Sequence, residues 1–268
     1  MPELPEVETI ARDLAPLLAG RTIRAITCAR RPPVFDARSL PAKLLRGRTV
    51  RSVGRAGKYL VLDFDDGLRL AVHLRMTGNL LYRRNGAPVD RTRAVIRFAD
   101  GTRVVFADVR KFGRMRVFRG DARQALGIGI DPFAPELDVR RLAALVRARK
   151  TQVKAWLLDQ KRLAGVGNIY ASEALYFAGI RPTVPVGKLT RAQLRALLRS
   201  LRRVLRKAIA QRGSSVDDYV DAEGKEGLFQ KQLRVYGRAG LPCRRCGTPI
   251  RRIVIAQRGT FYCPLCQR

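Results

Sequence analysis

Tyr59-Leu60-Val61-Leu62-Asp63-Phe64, Asp65-Asp66-Gly67 and Leu68-Arg69-Leu70-Ala71-Val72 read in succession as two short strands joined by a tight turn. Apolar residues dominate both runs, and the Asp-Gly pair between them is a hairpin signal. The arrangement repeats where Ala94-Val95-Ile96-Arg97-Phe98 and Arg103-Val104-Val105-Phe106 flank Asp100-Gly101. Met115 to Phe118 gives a further strand. The chain up to the region of Gly120 is therefore expected to be mostly β, as a sandwich of antiparallel sheets.

Outward from this core the periodicity changes. Toward the N-terminus, Pro5 to Leu18 reads as a helix, with Val7, Ile10, Leu14 and Leu17 on one face and Gly20 closing it. Toward the C-terminus, helical periodicity appears in Arg140 to Arg149, Gln152 to Asp159, Asn168 to Ala178 and Thr190 to Gln211. Thr190 is placed as an N-cap. Gly165 and Gly167 break the chain just before Asn168, which is placed to cap the helix that follows. The polar, glycine-bearing stretch from Arg212 to Gly227 reads as a mobile loop.

The 268 residues suffice for two domains or one large one, and 46% hydrophobic content supports a packed core rather than disorder. The formal net charge of +32 is the stronger constraint. Such an excess opposes a compact fold through self-repulsion unless a polyanion screens it, which makes nucleic acid the first candidate partner. A GC-rich genome would explain arginine in preference to lysine, but not the shortage of acids. No apolar run is long enough to span a membrane. The N-terminus carries no secretory signal pattern, so a cytoplasmic protein is expected.

Two clusters carry chemistry. Cys243-x-x-Cys246 and Cys263-x-x-Cys266 have the spacing of a four-thiolate zinc site, with Pro249 to Tyr262 forming a hairpin between the knuckles. Four thiolates leave no open position for water, so this zinc is structural. Two disulfides or reduced structural cysteines are the alternatives, and a basic cytosolic chain disfavours the disulfides. Arg258, at the turn of that hairpin, suits a phosphate or minor-groove contact. Cys28 reads as a small buried hydrophobe on a strand. At the other end, Pro2 follows Met1 and Glu3 follows Pro2. Removal of the methionine would expose a secondary amine, with a pKa near ~8. Such an amine attacks sugar carbons and carbonyls to give an iminium, an electron sink. Glu3 is placed to move protons for it. A Pro-Glu start equally suits the beginning of a helix, and both readings stand on these residues alone.

The motifs MPELPEVET at 1–9, RAGKYL at 55–60, HLRMTG at 73–78, GVGNIYASE at 165–173, VYGR at 235–238 and AQRGTFYC at 256–263 occur in order over essentially the whole chain. This pattern resembles the formamidopyrimidine-DNA glycosylase family, also called MutM. The resemblance implies an α+β multidomain chain. Residues 1–125 would be a catalytic antiparallel β-sandwich with an N-terminal helix, and 126–137 a linker. Residues 138–229 would be a helix–two-turn–helix domain with a lesion-capping loop, and 230–268 a zinc finger. It implies excision of 8-oxoguanine and formamidopyrimidines from double-stranded DNA, followed by cleavage at the abasic site through β- and δ-elimination.

On the matching positions, the resemblance makes Pro2 the nucleophile, Glu3 its proton relay and Lys58 a lysine at phosphate near the lesion. Met76, Arg110 and Phe112 would fill the space left by the everted base, with Arg110 hydrogen-bonding the orphaned cytosine. His73, Asn168 and Arg258 would contact phosphate, Lys154 would lie near the lesion pocket, and Lys225 would belong to the loop closing over the purine. Tyr170 and Tyr236 either join this interface or pack. One structural zinc, no nucleotide or redox cofactor, a monomer and a cytoplasmic, nucleoid-associated location follow from the same resemblance. The chain departs from the family pattern at Asp108-Val109-Arg110-Lys111-Phe112-Gly113, where the commoner motif is D-P-R-R-F-G, and at 126–132. An endonuclease VIII-like enzyme for oxidised pyrimidines is one alternative, although that branch carries glycine where Leu4 stands. A non-catalytic damaged-DNA-binding protein is the other, and retention of Pro2 with Glu3 counts against it.

Overall fold

A computed structural model describes residues 1–29, 32–84, 88–216 and 219–268. Tertiary contacts divide the chain into two units, Met1–Leu126 with Ile209–Gln230, and Gly127–Ala208 with Lys231–Arg268.

The first unit is built on two four-stranded antiparallel sheets. One has the order β2 (Val50–Ala56), β3 (Tyr59–Phe64), β4 (Leu68–His73), β8 (Arg114–Arg119). The other has the order β1 (Ile23–Cys28), β6 (Thr92–Phe98), β7 (Arg103–Asp108), β5 (Gly78–Arg83). The two hairpins expected from Asp65-Asp66-Gly67 and Asp100-Gly101 are β3–β4 and β6–β7. Alternate residues of both sheets, among them Leu60, Leu62, Leu70, Val72, Ile96, Val104 and Phe106, form one buried core. The unbroken apolar character of the first hairpin has its own cause. Val61, Ala71 and Phe118 face the other way and are covered by Ala122, Ala125 and Leu126 of the short helix α2 (Ala122–Leu126).

Helix α1 (Leu4–Leu18) adds Val7, Ile10, Leu14 and Leu18 to the core. Leu18 rather than Leu17 completes the buried face, since Leu17 is only half-buried. Strands β2 and β5 escaped the sequence reading because Arg51, Ser52, Gly54 and Asn79 interrupt their apolar pattern. Cys28 lies on a strand as expected but is exposed, because the outer end of edge strand β1 faces solvent.

Residues Ile209–Gln230 group with this unit, whereas the sequence division placed them with the helices that precede them. Side chains explain the grouping. Arg212 pairs with Asp13 of α1 and with Asp221, both at 2.6 Å. The Ser214 N–H donates to Glu6 and the Tyr82 N–H to the Ala222 carbonyl. The stretch read as a mobile loop is irregular, and Ser214, Ser215, Asp221 and Gly227 within it are hydrogen-bonded.

The second unit carries α3 (Val139–Val146), α4 (Val153–Leu158), α5 (Asn168–Ala178), α6 (Arg191–Ala210, to Ala208) and the hairpin β9 (Arg251–Ile255)–β10 (Arg258–Tyr262). Thr190 caps α6 as expected: Thr190 Oγ1 accepts the Gln193 N–H, and Gln193 Oε1 accepts the Thr190 N–H. Asn168 does not cap α5. Gly167 occupies the cap position and Asn168 is the first helical residue. Glu173, fully buried on α5, accepts the N–H groups of Arg234, Val235 and Tyr236, which ties that helix to the chain entering the cysteine module. Burial pushes its carboxyl above the usual range, against the pull of those three bonds.

Gly113, immediately before β8, has no room for a side chain. A Cβ there would lie 2.2 Å from the Phe106 ring and 3.1 Å from Asp108 Oδ2. Gly113→Ala is therefore expected to destabilise the first unit by ~1–3 kcal/mol, read as a lowered urea midpoint with unchanged slope.

Candidate active site and nucleic-acid interface

The first unit gathers its candidate residues at one end of the sandwich. Register places them there: Tyr59 pairs with His73, His73 with Arg114, and Gly78 with Asp108. The β2–β3 turn carrying Lys58, the 74–77 connection carrying Met76 and the 109–113 connection carrying Arg110 and Phe112 all leave from this end. Thr77 joins the last two. Its hydroxyl donates to Asp108 Oδ1 at 2.5 Å and accepts the Arg110 N–H at 3.1 Å. Asp108 Oδ2 accepts the Gly113 N–H at 2.7 Å. The buried Asp108 thus braces a loop whose tip stands out: Phe112 is half exposed, and the Arg110 guanidinium lies 5.0 Å over its ring. Val109, in place of the commoner proline, is also exposed.

Lys58 and His73 are both buried. His73 Nδ1 accepts the Arg75 N–H at 3.0 Å, so the neutral ring carries its proton on Nε2 and presents a donor. Its ring stands perpendicular to the Tyr59 ring, with centroids 4.6 Å apart. Burial, together with the charges of Arg75 and Lys58, lowers the His73 pKa to about 3.

The N-terminal turn is fixed from both sides. Glu3 caps α1, its side chain accepting the Glu6 N–H while Glu6 Oε2 accepts the Glu3 N–H at 2.8 Å. Glu6 Oε1 accepts the Ser214 N–H at 2.8 Å. One turn on, Glu8 pairs with Arg55 at 3.0 Å, and Arg55 also donates to the Gly57 carbonyl in the turn carrying Lys58. The head of α1 is thereby tethered to the Lys58 turn. Pro2 and Glu3 are both buried beside it. Sequence reading passed over Glu6, although E-x-x-E from the cap position is the spacing of a capping box. Arg55, Asp108 and Arg212 gave no such signal, because their partners are remote in sequence.

Farther along, Asp221 accepts the N–H groups of Glu223 and Lys225, and Arg212 closes on it. Burial raises the Asp221 pKa, but these bonds and the guanidinium outweigh it and hold the carboxyl below its usual value. Lys225 stands exposed, paired with Glu223 at 2.6 Å.

In the second unit Asn168 Nδ2 donates to the Gly259 carbonyl at 3.0 Å, joining α5 to the cysteine hairpin. Lys154 is fully buried, with Nζ 2.6 Å from Ser172 Oγ and 3.4 Å from the Asn168 carbonyl. It supports the first turn of α5 from beneath. Arg258 opens β10, exposed, directly after the turn residues Ala256 and Gln257, both at positive φ. Non-glycine residues there carry strain that the surrounding hairpin holds. Tyr170 is fully buried, and Tyr236 is half-buried and packs edge-on to Phe261.

Cys243, Cys246, Cys263 and Cys266 bring their sulfurs within 4.8 Å of one another. Individual separations of 3.4, 3.5 and 4.0 Å fit the ~3.8 Å edge of a tetrahedron with metal–sulfur bonds of about 2.3 Å. Backbone N–H groups of Arg245 and Cys266 point at sulfur in each knuckle. The donor set and geometry fit one structural zinc ion.

Three family models match the chain. They are the formamidopyrimidine-DNA glycosylase N-terminal domain over residues 1–115, the formamidopyrimidine-DNA glycosylase H2TH domain over 128–220, and a zinc finger found in FPG and IleRS over 240–268. Relatives named formamidopyrimidine-DNA glycosylase from Chloroflexus aggregans and Bacillus licheniformis are 45% and 40% identical. The alignments cover all of this chain and 98% and 100% of those proteins. The crystal structure of MutM (Fpg) from Thermus thermophilus matches with a TM-score of 0.88 at 40% identity, covering 99% of this chain and 98% of that one. A Lactococcus lactis Fpg mutant in complex with Fapy-dG-containing DNA matches with a TM-score of 0.88 at 34% identity over the whole of both chains.

The buried neutral His73 makes stability fall with acidity. Its pKa is about 3 in the fold, against 6.5 when unperturbed. The unfolded chain therefore takes up a proton that the folded chain refuses. The contribution is intact above the unfolded value and is lost as pH falls from there toward the folded one. Between neutrality and pH ~5 the loss amounts to about 2 kcal/mol. Urea titrations should show His73→Gln losing less stability over that interval than wild type by this amount. Parallel losses would mean the ring is protonated in the fold.

Proposed function

We propose that this chain, which belongs to the formamidopyrimidine-DNA glycosylase family, removes oxidised purines from double-stranded DNA and then cleaves the strand at the abasic site. The observation that carries the chemistry is the N-terminal turn. Pro2 and Glu3 lie at the head of a buried helix, locked by the Glu3–Glu6 cap and tethered through Glu8 and Arg55 to the Lys58 turn. With Met1 removed, the Pro2 amine attacks C1′ of the damaged nucleotide and the base departs. The iminium so formed acidifies the C2′ proton. β-Elimination then expels the 3′ phosphate and δ-elimination the 5′ phosphate. Glu3 relays protons to the opening sugar, and Lys58 with the Nε2–H of His73 supplies donors to the neighbouring phosphate.

The damaged base must leave the stack before the amine can reach C1′. Phe112, exposed at the tip of a loop braced by Asp108, serves as the wedge. Arg110 reads the orphaned cytosine, and Met76 fills the space beside them. The 219–226 segment with Lys225 covers the everted purine. In the second unit, Asn168 and Arg258 grip phosphate while Lys154 holds the α5 terminus that presents Asn168. Zinc, where bound, holds the two knuckles of the hairpin; it takes no part in the elimination chemistry. The protein acts as a cytoplasmic monomer. Oxidised pyrimidines remain the competing substrate class, which a lesion panel separates.

Borohydride reduces an iminium to a stable amine, so it links enzyme to DNA only if a Schiff base forms. Pro2→Gly, or an N-terminus blocked by a retained tag, should abolish cross-linking to an oxidised-purine duplex by the mature protein. Undiminished cross-linking by a chain verified as blocked would overturn Pro2 as the nucleophile.

A further inference from the structure

Helix α6 has one face with no role in the chemistry above. Leu194, Leu197, Leu198, Leu201, Val204 and Leu205 are buried on its inner side. On the outer side Arg191, Arg195, Arg199, Arg203 and Lys207 recur every fourth residue, with Arg206 beside them, and all are exposed. At 1.5 Å per residue the stripe runs for about 24 Å, one cation every ~6 Å. No aspartate or glutamate occurs between Glu173 and Asp217. Among the described residues, the stripe makes no ion pair.

A helix gains nothing from this pattern by itself, because like charges four residues apart repel. Arginines used for structure look different here. Arg202, on the same helix, turns inward and donates to the carbonyls of Pro132 and Leu137, each at 2.7 Å. Two of the outward ones are oriented instead: Arg203 lies 5.3 Å over Phe177 and Arg206 5.5 Å over Phe133. A stacked guanidinium keeps its edge donors free for phosphate. The occupied apolar side leaves no hydrophobic face to enter a bilayer, so the surface offers charge alone.

The stripe is also set apart from the proposed lesion contacts of its own unit. Phe177 lies near the last turn of α5, whereas Asn168 opens that helix and bonds the hairpin of Arg258. We propose that the outer face of α6 is a second DNA-backbone surface, distinct from the lesion site, which holds phosphates of undamaged duplex without regard to sequence. It rests on DNA being the partner but not on the Pro2 chemistry.

The test uses the full-length, zinc-loaded protein and the series Arg199→Gln, Arg195→Gln with Arg199→Gln, and both with Arg191→Gln. Glutamine keeps helix propensity, and none of the three arginines stacks on an aromatic ring. Binding is followed by anisotropy across a salt titration on an undamaged duplex of about four helical turns. In parallel, a lesion duplex of about one turn is used for binding and borohydride cross-linking. On the long duplex the slope of log K against log salt should shrink by about 0.9 for each arginine removed. On the short lesion duplex both readouts should stay at the wild-type level. An unchanged slope on the long duplex would make the stripe a solvated face. An equal loss on the short duplex would assign it to the lesion site. Each of these overturns the proposal. Absent cross-linking in wild type would count against the Schiff-base reading and leave the slope test standing.

Discussion

The carboxyl group of Glu6 is the constraint on which the active end of the first unit depends. It is buried, and its two oxygens serve two different segments: the Glu3 N–H at the head of α1 and the Ser214 N–H beyond the end of α6. Gly213 has no side chain where a Cβ would press to 2.8 Å from Glu6 Oε1. Burial, and then the charge of Glu6, drives the Tyr219 hydroxyl well above the usual tyrosine range, so it stays protonated. A buried donor left without its acceptor costs roughly 1–3 kcal/mol. One acid therefore fixes the N-terminal dipeptide and the origin of the 219–226 segment together. The Arg212 bridge from Asp13 to Asp221 repeats the linkage one layer out.

Charge is handled differently in the two units. In the first, many arginines are neutralised locally, as in Arg55 with Glu8, Arg69 with Asp63 and Arg116 with Asp36. In the second, acids are scarce, and Asp138 and Glu173 among them are used on backbone N–H groups. The surplus of cations then lies on surfaces such as the outer face of α6. A net charge of +32 is thus not spread evenly but concentrated where no internal partner offsets it.

Much of this was legible in the sequence, for identifiable reasons. Asp-Gly turns between apolar runs announced β3–β4 and β6–β7, and the paired C-x-x-C knuckles announced the metal site. Both are local patterns. Strands β2 and β5 were missed because their pairing is decided by neighbours rather than by their own alternation. Asn168 looked like a cap by residue type and position, but Gly167 takes the cap and the amide reaches the Gly259 carbonyl, many residues away. Lys154 was placed near the lesion pocket by resemblance alone; its burial and its bond to Ser172 carry no signal in the sequence. Bonds such as Thr77 to Asp108 and Arg212 to Asp13 carry no sequence signal, since each joins single residues across a long interval. The MutM-like motifs named the family; they did not disclose these supports.

Glu6 is expected to position Pro2 and Glu3 for reaction. The most direct measurement is the single-turnover rate of borohydride trapping on an abasic duplex by Glu6→Gln, alongside its far-UV circular dichroism and thermal midpoint. Glutamine keeps the volume but sets an amide N–H₂ against one of the two backbone donors. A folded protein is expected whose trapping rate falls by at least ~10-fold, the equivalent of about 1.4 kcal/mol, with DNA affinity near wild type. A folded variant that traps at the wild-type rate would contradict this role for Glu6.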